Sequence, residues 1–155
     1  METTKEFSSH QVSEIQLSYK TNVKASERPK ITSSREAYAI LLSNWDDSKI
    51  EFVEQFKAVL LNRANKVLGI VEISSGGVSG TVADPKLIFA AALKANATSV
   101  LIAHNHPSSN TNPSQQDILL TQRMKEVGRL LDLPIIDHLI ITPESYYSFA
   151  DEGLL

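Results

Sequence analysis

The feature that most constrains the fold of this chain is the apolar run "VLIA" at residues 100–103. A short uninterrupted run of this kind, bounded by polar residues, predicts a buried strand. Two longer strand-like stretches precede it, "QFKAVLLN" and "KVLGIVEIS", and the connector "RANK" between them indicates a hairpin. Further strands are predicted in "PIIDHLIIT" and "YYSFA" near the end of the chain. The chain is therefore expected to build a sheet.

Helical patterns alternate with these strands. Ser33 and Glu36 form a capping-box signature ahead of "REAYAILLSNW", and Asp84 followed by Pro85 marks the start of a helix through "KLIFAAALKAN". A third helix is predicted in "PSQQDILLTQRMKEVGRLLD" because its apolar residues recur at helical spacing. The alternation predicts an α/β fold in which a mixed β-sheet is flanked by helices.

The first part of the chain is expected to lie outside the main domain. Ile15, Leu17 and Tyr19 alternate with polar residues and predict an edge strand. We therefore divide the chain into an N-terminal extension with an edge strand, residues 1–30, and one domain, residues 31–155. The stretch "SGGVSGT" after the hairpin predicts a glycine-rich turn.

Composition excludes several classes of function. The chain contains no cysteine, so any metal must be held by nitrogen and oxygen ligands. A net charge of −3 with scattered lysines and arginines provides no electrostatic footprint for nucleic acid. No apolar run approaches the roughly 18 residues of a membrane span. The N-terminus lacks the order of a secretory signal, and a cytoplasmic location is expected.

Four residues that follow the buried run predict a metal site. His104 and His106 are two residues apart, so their rings lie on the same side of the strand, whereas Asn105 points to the opposite face and could steady a loop there. Ser114 begins the next helix and places Asp117 in its first turn. Two imidazoles and one carboxylate are typical of a catalytic zinc site, which leaves the fourth position to water and lowers the pKa of that water toward neutrality.

Simpler interpretations exist for each part of this pattern. A His-x-His pair at the end of a strand can satisfy backbone groups, and Ser-x-x-Asp is an ordinary helix cap. The combination of His104, His106, Ser114 and Asp117 at this spacing favours a metal site over either interpretation alone.

The stretch "HNHPSSNTNPSQQD" resembles the JAMM (MPN+) metalloprotease motif in the version carried by the RadC family of bacterial proteins. The resemblance extends over residues 33–142 and implies a JAB/MPN (cytidine-deaminase-like) architecture. It implies one Zn²⁺ per chain, held by His104, His106 and Asp117. It also implies that Ser114 donates a hydrogen bond to the oxyanion of the reaction.

The chain departs from the family pattern in two places. Where RadC proteins usually have glycine and then an acidic residue after "HPS", this chain has Ser109 and Asn110. Typical full-length members carry a helix-hairpin-helix DNA-binding region, and no such domain is expected in the roughly thirty residues before the resemblance begins.

The resemblance also requires an upstream glutamate as general base. Glu54 stands directly before "QFKAVLLN", where JAMM proteins generally place this acid, and it is the preferred candidate. Glu72, in the second strand of the hairpin, is the alternative because it could face either the site or solvent, and Glu51 ranks third. His138, in an apolar strand beside Asp137, is interpreted as a buried histidine held by a backbone group or its neighbour, with support of the metal site as the alternative.

The sequence thus predicts a zinc-dependent hydrolase that cleaves a peptide or isopeptide amide bond. Its expected partner is a peptide or protein substrate, such as the C-terminal tail of a ubiquitin-like modifier; no membrane partner is expected, and no oligomeric state is predicted. The alternative is a non-catalytic binding module, stabilised by metal and associated with DNA repair or mobile elements. A metal-dependent nuclease is less favoured, because phosphodiester enzymes generally use oxygen-rich two-metal sites.

Overall fold

A computed structural model describes residues 10–76 and 82–155. Within these residues the five strands form a single sheet of order β2-β1-β3-β4-β5, in which β3 and β4 are parallel and the other neighbours are antiparallel. The strands are β1 Gln55–Leu61, β2 Val67–Ser75, β3 Ser99–Asn105, β4 Ile135–Ile141 and β5 Tyr146–Ser148, and the α-helices are α1 Ser34–Ser43, α2 Pro85–Lys94 and α3 Gln115–Leu130. A 3-10 turn, Ala25–Glu27, precedes them.

Helices cover both faces of this sheet. One apolar cluster, which includes Phe56 and Ile102, packs with residues of α2 and α3 such as Ile88. The other cluster includes Leu101 on the opposite face and packs with Leu41 of α1. Strands β1 and β3 are buried along their whole length, as strands covered on two faces must be. The prediction of an α/β fold with a mixed sheet flanked by helices is confirmed.

The helices begin at their predicted caps. The Ser33 side chain accepts a hydrogen bond from the Glu36 N–H at 3.2 Å, and the Asp84 side chain accepts one from the Lys86 N–H at 2.9 Å. The box at Ser33 is only half formed, because the Glu36 carboxylate accepts from the N–H of Thr32 instead of closing back on the cap. The first helix ends at Ser43 rather than at the predicted tryptophan.

The edge strand predicted in the N-terminal extension is wrong. Ile15 and Leu17 belong to no strand, and they are 85% and 82% exposed. Tyr19 contacts the sheet through its hydroxyl, which donates to the carbonyl of Leu68 in β2 at 2.6 Å. Alternation assigns side chains to two faces, but a strand also needs a partner for its backbone groups, and this segment has none among the described residues.

Two predictions fall partly or wholly outside the described residues. The glycine-rich turn lies mostly at residues 77–81, and the extension begins with residues 1–9. Of the helices that the structure describes, none has the length and apolar character needed to cross a membrane.

Candidate metal centre and active-site cleft

The end of β3 brings two histidines together. His104 is the penultimate residue of the strand and is 1% exposed, while His106 follows the strand and is half-buried. The backbone N–H of His106 still donates to the Ile141 carbonyl of β4, at 3.2 Å, so the extended conformation continues past β3. The two imidazoles therefore share one side, as predicted, and their Nε2 atoms are 3.0 Å apart.

Helix α3 supplies a carboxylate to the same point. Asp117 Oδ1 lies 3.3 Å from His104 Nε2, and Oδ2 lies 3.5 Å from His106 Nε2. Oδ2 also accepts the N–H of Ser114 at 2.8 Å, which completes a capping box. One rotamer of Asp117 therefore both caps α3 and places its carboxylate beside the two imidazoles.

The spacing of these three side chains fits a small divalent cation. The two Nε2 atoms are 3.0 Å apart, and the carboxylate presents a different oxygen to each ring, Oδ1 at 3.3 Å from His104 Nε2 and Oδ2 at 3.5 Å from His106 Nε2. One ligand atom from each of the three residues lies within 4.8 Å of the other two. Ligands placed roughly 2.0–2.1 Å from a tetrahedral ion lie about 3.3–3.4 Å from one another. His104, His106 and Asp117 could thus hold a metal ion, and they are the one such group of three in the described part of the chain.

The charges at this point are coupled. Burial disfavours ionisation of Asp117, but hydrogen bonds from both imidazoles, the His104 charge and the Ser114 N–H outweigh it and hold the pKa of Asp117 well below its usual range. Burial likewise opposes the charged form of His106, yet the hydrogen bonds to Asp117 and to the carbonyl of Asn110, with the nearby charges of Asp117 and Glu54, raise the pKa of His106. The surroundings of the two residues therefore favour a protonated His106 beside an ionised Asp117.

The loop after β3 fixes the tautomer of His106. Its Nδ1 lies 2.6 Å from the carbonyl oxygen of Asn110, which can only accept, so the proton of the neutral ring stays on Nδ1. In the neutral ring, Nε2 then carries the lone pair that a metal ion at this point would accept. Ser109 allows this turn by adopting a φ of +64°, in the left-handed region that favours glycine.

A second set of hydrogen bonds fixes the tautomer of His104. Its Nδ1 is 2.8 Å from Nε2 of His138, whose Nδ1 is 2.6 Å from Oγ1 of Thr121. Thr121 donates its only hydroxyl hydrogen to the Asp117 carbonyl at 2.7 Å, so its oxygen must accept from His138 Nδ1–H. A neutral His138 then accepts from His104 Nδ1–H, and the lone pair of His104 Nε2 faces the site.

His138 is buried as predicted, but its ring is held by neither a backbone group nor Asp137. The ring contacts His104 and Thr121 and stacks on Phe149 with centroids 4.6 Å apart. Asp137 accepts from the His138 backbone N–H instead. The alternative interpretation, support of the metal site, agrees with this geometry. Thr121 was missed, because a threonine within a helix carries no signal of such a role.

The three candidate glutamates occupy different environments. Glu54 is half-buried directly before β1. It lines the same cleft as His104, His106 and Asp117, which are called the metal triad below. Glu72 is exposed and pairs across the hairpin with Lys57, which lies over the Trp45 ring at 4.3 Å on the α1 side of the sheet. Because cross-strand partners share a face, Glu72 faces away from the metal triad. Glu51 is exposed in the preceding turn.

Asn105 fixes the backbone on both sides of Glu54. Its side chain is completely buried on the opposite face of β3 from the histidine rings. Nδ2 donates to the carbonyls of Ile50 and Val53, at 2.7 and 2.8 Å, and Oδ1 accepts from the N–H of Gln55 at 2.7 Å. The expected support of a loop is confirmed, and that loop is the one that carries Glu54.

Ser114 retains a hydrogen for donation. Its Oγ accepts from the Asp117 N–H at 3.1 Å and thereby caps α3. A hydroxyl has two acceptor sites and one donor, so capping leaves the O–H bond available. Ser114 also lines the cleft, which has a volume of about 650 Å³ and contains the metal triad and Glu54.

Comparison with known proteins identifies the family. The model of the RadC-like JAB domain matches residues 31–154. The chain belongs to this family. A UPF0758 protein of Flavobacterium johnsoniae is 43% identical to this RadC-family chain over 125 residues. The aligned residues are 81% of this chain and 53% of the relative. A UPF0758 protein of Porphyromonas gingivalis is also 43% identical, over 129 residues, which are 83% of this chain and 56% of the relative.

A more distant relative has a similar extent of alignment. A UPF0758 protein of Clostridium beijerinckii is 36% identical over 126 residues, which are 81% of this chain and 54% of the relative. The RadC-family chain thus spans about half the length of these relatives. The family assignment and the JAB/MPN-type fold, both expected from the motif, are confirmed.

Proposed function

We propose that this RadC-family domain is a zinc-dependent hydrolase that cleaves a peptide or isopeptide amide bond. The observation that carries the proposal is the convergence of His104, His106 and Asp117 into one group whose ligand atoms lie within 4.8 Å of one another, beside Glu54 in one cleft. Three ligands from the protein leave one coordination position open, which is typical of catalytic rather than structural zinc.

The donor set supports zinc as the metal. Two imidazole nitrogens and one carboxylate oxygen suit Zn²⁺ better than the oxygen-seeking Mg²⁺ or Ca²⁺. Zinc bound here would supply an activated water and polarise a substrate carbonyl. The hydrogen bonds of His106 to Asn110 and of His104 to His138 engage both Nδ1 atoms, so that the Nε2 atoms of the neutral rings would be available to hold the ion.

Glu54 is proposed as the general base. It takes a proton from the attacking water and passes it to the amine that leaves. Half-burial in the cleft suits this role, and the three hydrogen bonds of Asn105 hold the adjacent peptide groups in place. Ser114 is proposed as the oxyanion donor, because its hydroxyl hydrogen is not used by the cap.

The proposed substrate is a peptide or protein segment that enters the cleft in extended form, such as the C-terminal tail of a ubiquitin-like modifier. A phosphodiester substrate is less favoured, because Glu54 and Asp117 both place negative charge in the cleft.

The proposal is tested by screening a peptide library with zinc-loaded protein. Wild type is expected to cleave a subset of peptides, and Glu54→Gln to keep one zinc per chain while losing at least about 10²-fold in rate. Glu72→Gln is the matched control, because this glutamate lies on the other face of the sheet, and it should retain both zinc and rate. Absence of cleavage by zinc-loaded wild type, or full activity in Glu54→Gln, would contradict the proposal and favour a non-catalytic binding module.

A further inference from the structure

We propose that the cleft binds a carboxylate of the substrate through Arg123, so that the preferred peptide carries an acidic group about three residues from the scissile bond. This inference deepens the proposed hydrolase function and rests on it for the position of the scissile bond. The carboxylate could be an acidic side chain or a free C-terminus, which share one chemistry.

Helix α3 extends the cleft away from the metal triad. Gln116, Leu120 and Arg123 are spaced i, i+4 and i+7, and all three line the cleft, so one stripe of the helix forms its wall. Asp117 lies beside the first of them. With a rise of 1.5 Å per residue, Arg123 is about 9 Å along the axis from Asp117. An extended peptide covers that length in about three residues, at roughly 3.3 Å each.

Arg123 contributes an unmatched positive charge to this wall. Among the described residues that line the cleft it is the one lysine or arginine. Its side chain is exposed, and it makes no hydrogen bond or ion pair with any other part of the described chain. The cleft also contains two acids, but both already have proposed roles. Asp117 is a proposed zinc ligand, and Glu54 is the proposed general base. The planar guanidinium is suited to bidentate binding of a carboxylate.

Outside the proposed reaction groups, Arg123 is the one charged side chain among the described residues that line the cleft. The apolar part of the lining includes Phe56 and Ala83, which are buried, Leu120, which is half-buried, and Val82, which is 84% exposed. The lining therefore offers no second site for a charged group, and the substrate residues between the scissile bond and the acid are expected to be uncharged. The position of the acid is thereby set by Arg123.

The test uses binding rather than cleavage. Zinc-loaded Glu54→Gln protein is titrated with fluorescein-labelled octapeptides that are otherwise uncharged, have blocked ends, and carry one Glu, Gln or Lys scanned through every position. A parallel pair compares a free C-terminal carboxylate with its amide. At one position, or at the free terminus, the acidic peptide is expected to bind about fivefold more tightly than its neutral counterpart, as for an exposed ion pair of about 1 kcal/mol.

Variants on α3 assign this preference. When Arg123→Gln is added to the Glu54→Gln protein, the preference for the acidic peptide should fall to less than twofold. Arg123→Glu should reverse the preference, so that the Lys peptide binds more tightly. Arg129→Gln, on the same helix but outside the cleft, is the matched control and should leave it unchanged.

The outcomes separate this inference from the proposed function. Equal binding of acidic and neutral peptides at every position, no measurable binding of any peptide, or an equal loss in Arg129→Gln would overturn the Arg123 site. A preference that depends on Arg123 would support the site even if zinc-loaded wild type cleaved no peptide. That absence of cleavage would contradict only the hydrolase proposal.

Discussion

The Nδ1 atom of His104 lies 2.8 Å from the Nε2 atom of His138, so that one buried imidazole orients another. The same series of hydrogen bonds continues through Thr121 to the backbone carbonyl of Asp117. Two of the three residues that could hold a metal ion are therefore joined by a series of hydrogen bonds beneath the site. Groups that orient metal ligands in this way typically change metal affinity by about 10–100-fold when they are removed.

Replacement of Thr121 tests this path. Thr121→Val keeps the shape of the side chain but removes the hydroxyl, so His138 loses its Nδ1 partner and the tautomer of His104 is no longer fixed. We expect zinc affinity, measured by competition with a chromogenic chelator, to fall by about 10–100-fold. Thr98→Val, at the start of β3 and remote from the site, is the control. Equal affinity in the two variants would show that the path does not orient His104.

Zinc affinity should depend on pH through His106. Its pKa is raised above the ordinary value of 6.5 by its hydrogen bonds to Asp117 and the Asn110 carbonyl, which outweigh burial. The metal needs the neutral ring, so below the raised pKa each zinc ion must displace a proton. Affinity is expected to be constant at high pH and to fall about tenfold per pH unit once the ring is charged. Chelator competition between pH 5.5 and 8 measures this. A flat profile down to pH 6 would contradict the role of His106 as a ligand.

Removal of the Asn105 side chain should affect Glu54 more than the metal. Asn105→Ala leaves one buried carbonyl, one partly buried carbonyl and one buried N–H without partners, and we expect the free energy of unfolding to fall by about 3 kcal/mol. Urea denaturation of zinc-loaded protein measures this value. Asn44→Ala, which removes an exposed amide at the end of α1, should cost less than about 1 kcal/mol.

The same variant separates the two roles of β3. Zinc affinity of Asn105→Ala should stay within about tenfold of wild type, because both histidine ligands remain, while peptide cleavage falls further as Glu54 loses its fixed position. A parallel loss of zinc and cleavage would mean that Asn105 supports the strand as a whole.

The sequence predicted most of the elements because their signals are local. Caps such as Ser114 and periodic apolar residues each depend on a few neighbours in the chain. The pair His104 and His106 was predictable for the same reason, since period two places both rings on one side of a strand. Asp117 was harder to place, because the chain between β3 and α3 must fold back to bring it to the two histidines. The cap at Ser114 is compatible with that path but does not specify it.

The features that sequence reasoning could not settle depend on partners that are distant in the chain. Ile15 and Leu17 alternate like a strand, yet no second strand pairs with them in the described residues. Which of Glu54 and Glu72 faces the cleft depends on the register of β1 against β2, which includes a shift after Phe56. The ring partner of His138 is Thr121, a residue of another element whose contribution no spacing could reveal.

Ser109 offers a simple gain in stability. Its φ of +64° is unfavourable for a residue with a Cβ atom, and glycine adopts it without strain. We expect Ser109→Gly to raise the free energy of unfolding of the metal-free protein by about 1 kcal/mol, measured in urea. Ser108→Gly, one residue earlier, is the control. It should not stabilise, because Ser108 does not have a positive φ and glycine there only adds freedom to the unfolded chain. A loss of stability in Ser109→Gly would indicate that the serine side chain stabilises the turn.

The arrangement of His104, Asn105 and His106 at the end of β3 bears on how such domains can diversify. One face of this tripeptide carries two of the residues that could hold a cation, and the other anchors the backbone around Glu54, the proposed general base, so the distance between the two is set inside the core. Substitutions along the outer wall of the cleft, Arg123 among them, leave that distance untouched. If the proposed hydrolase function holds, new substrates can be acquired by exchanging wall residues without rebuilding the proposed reaction centre.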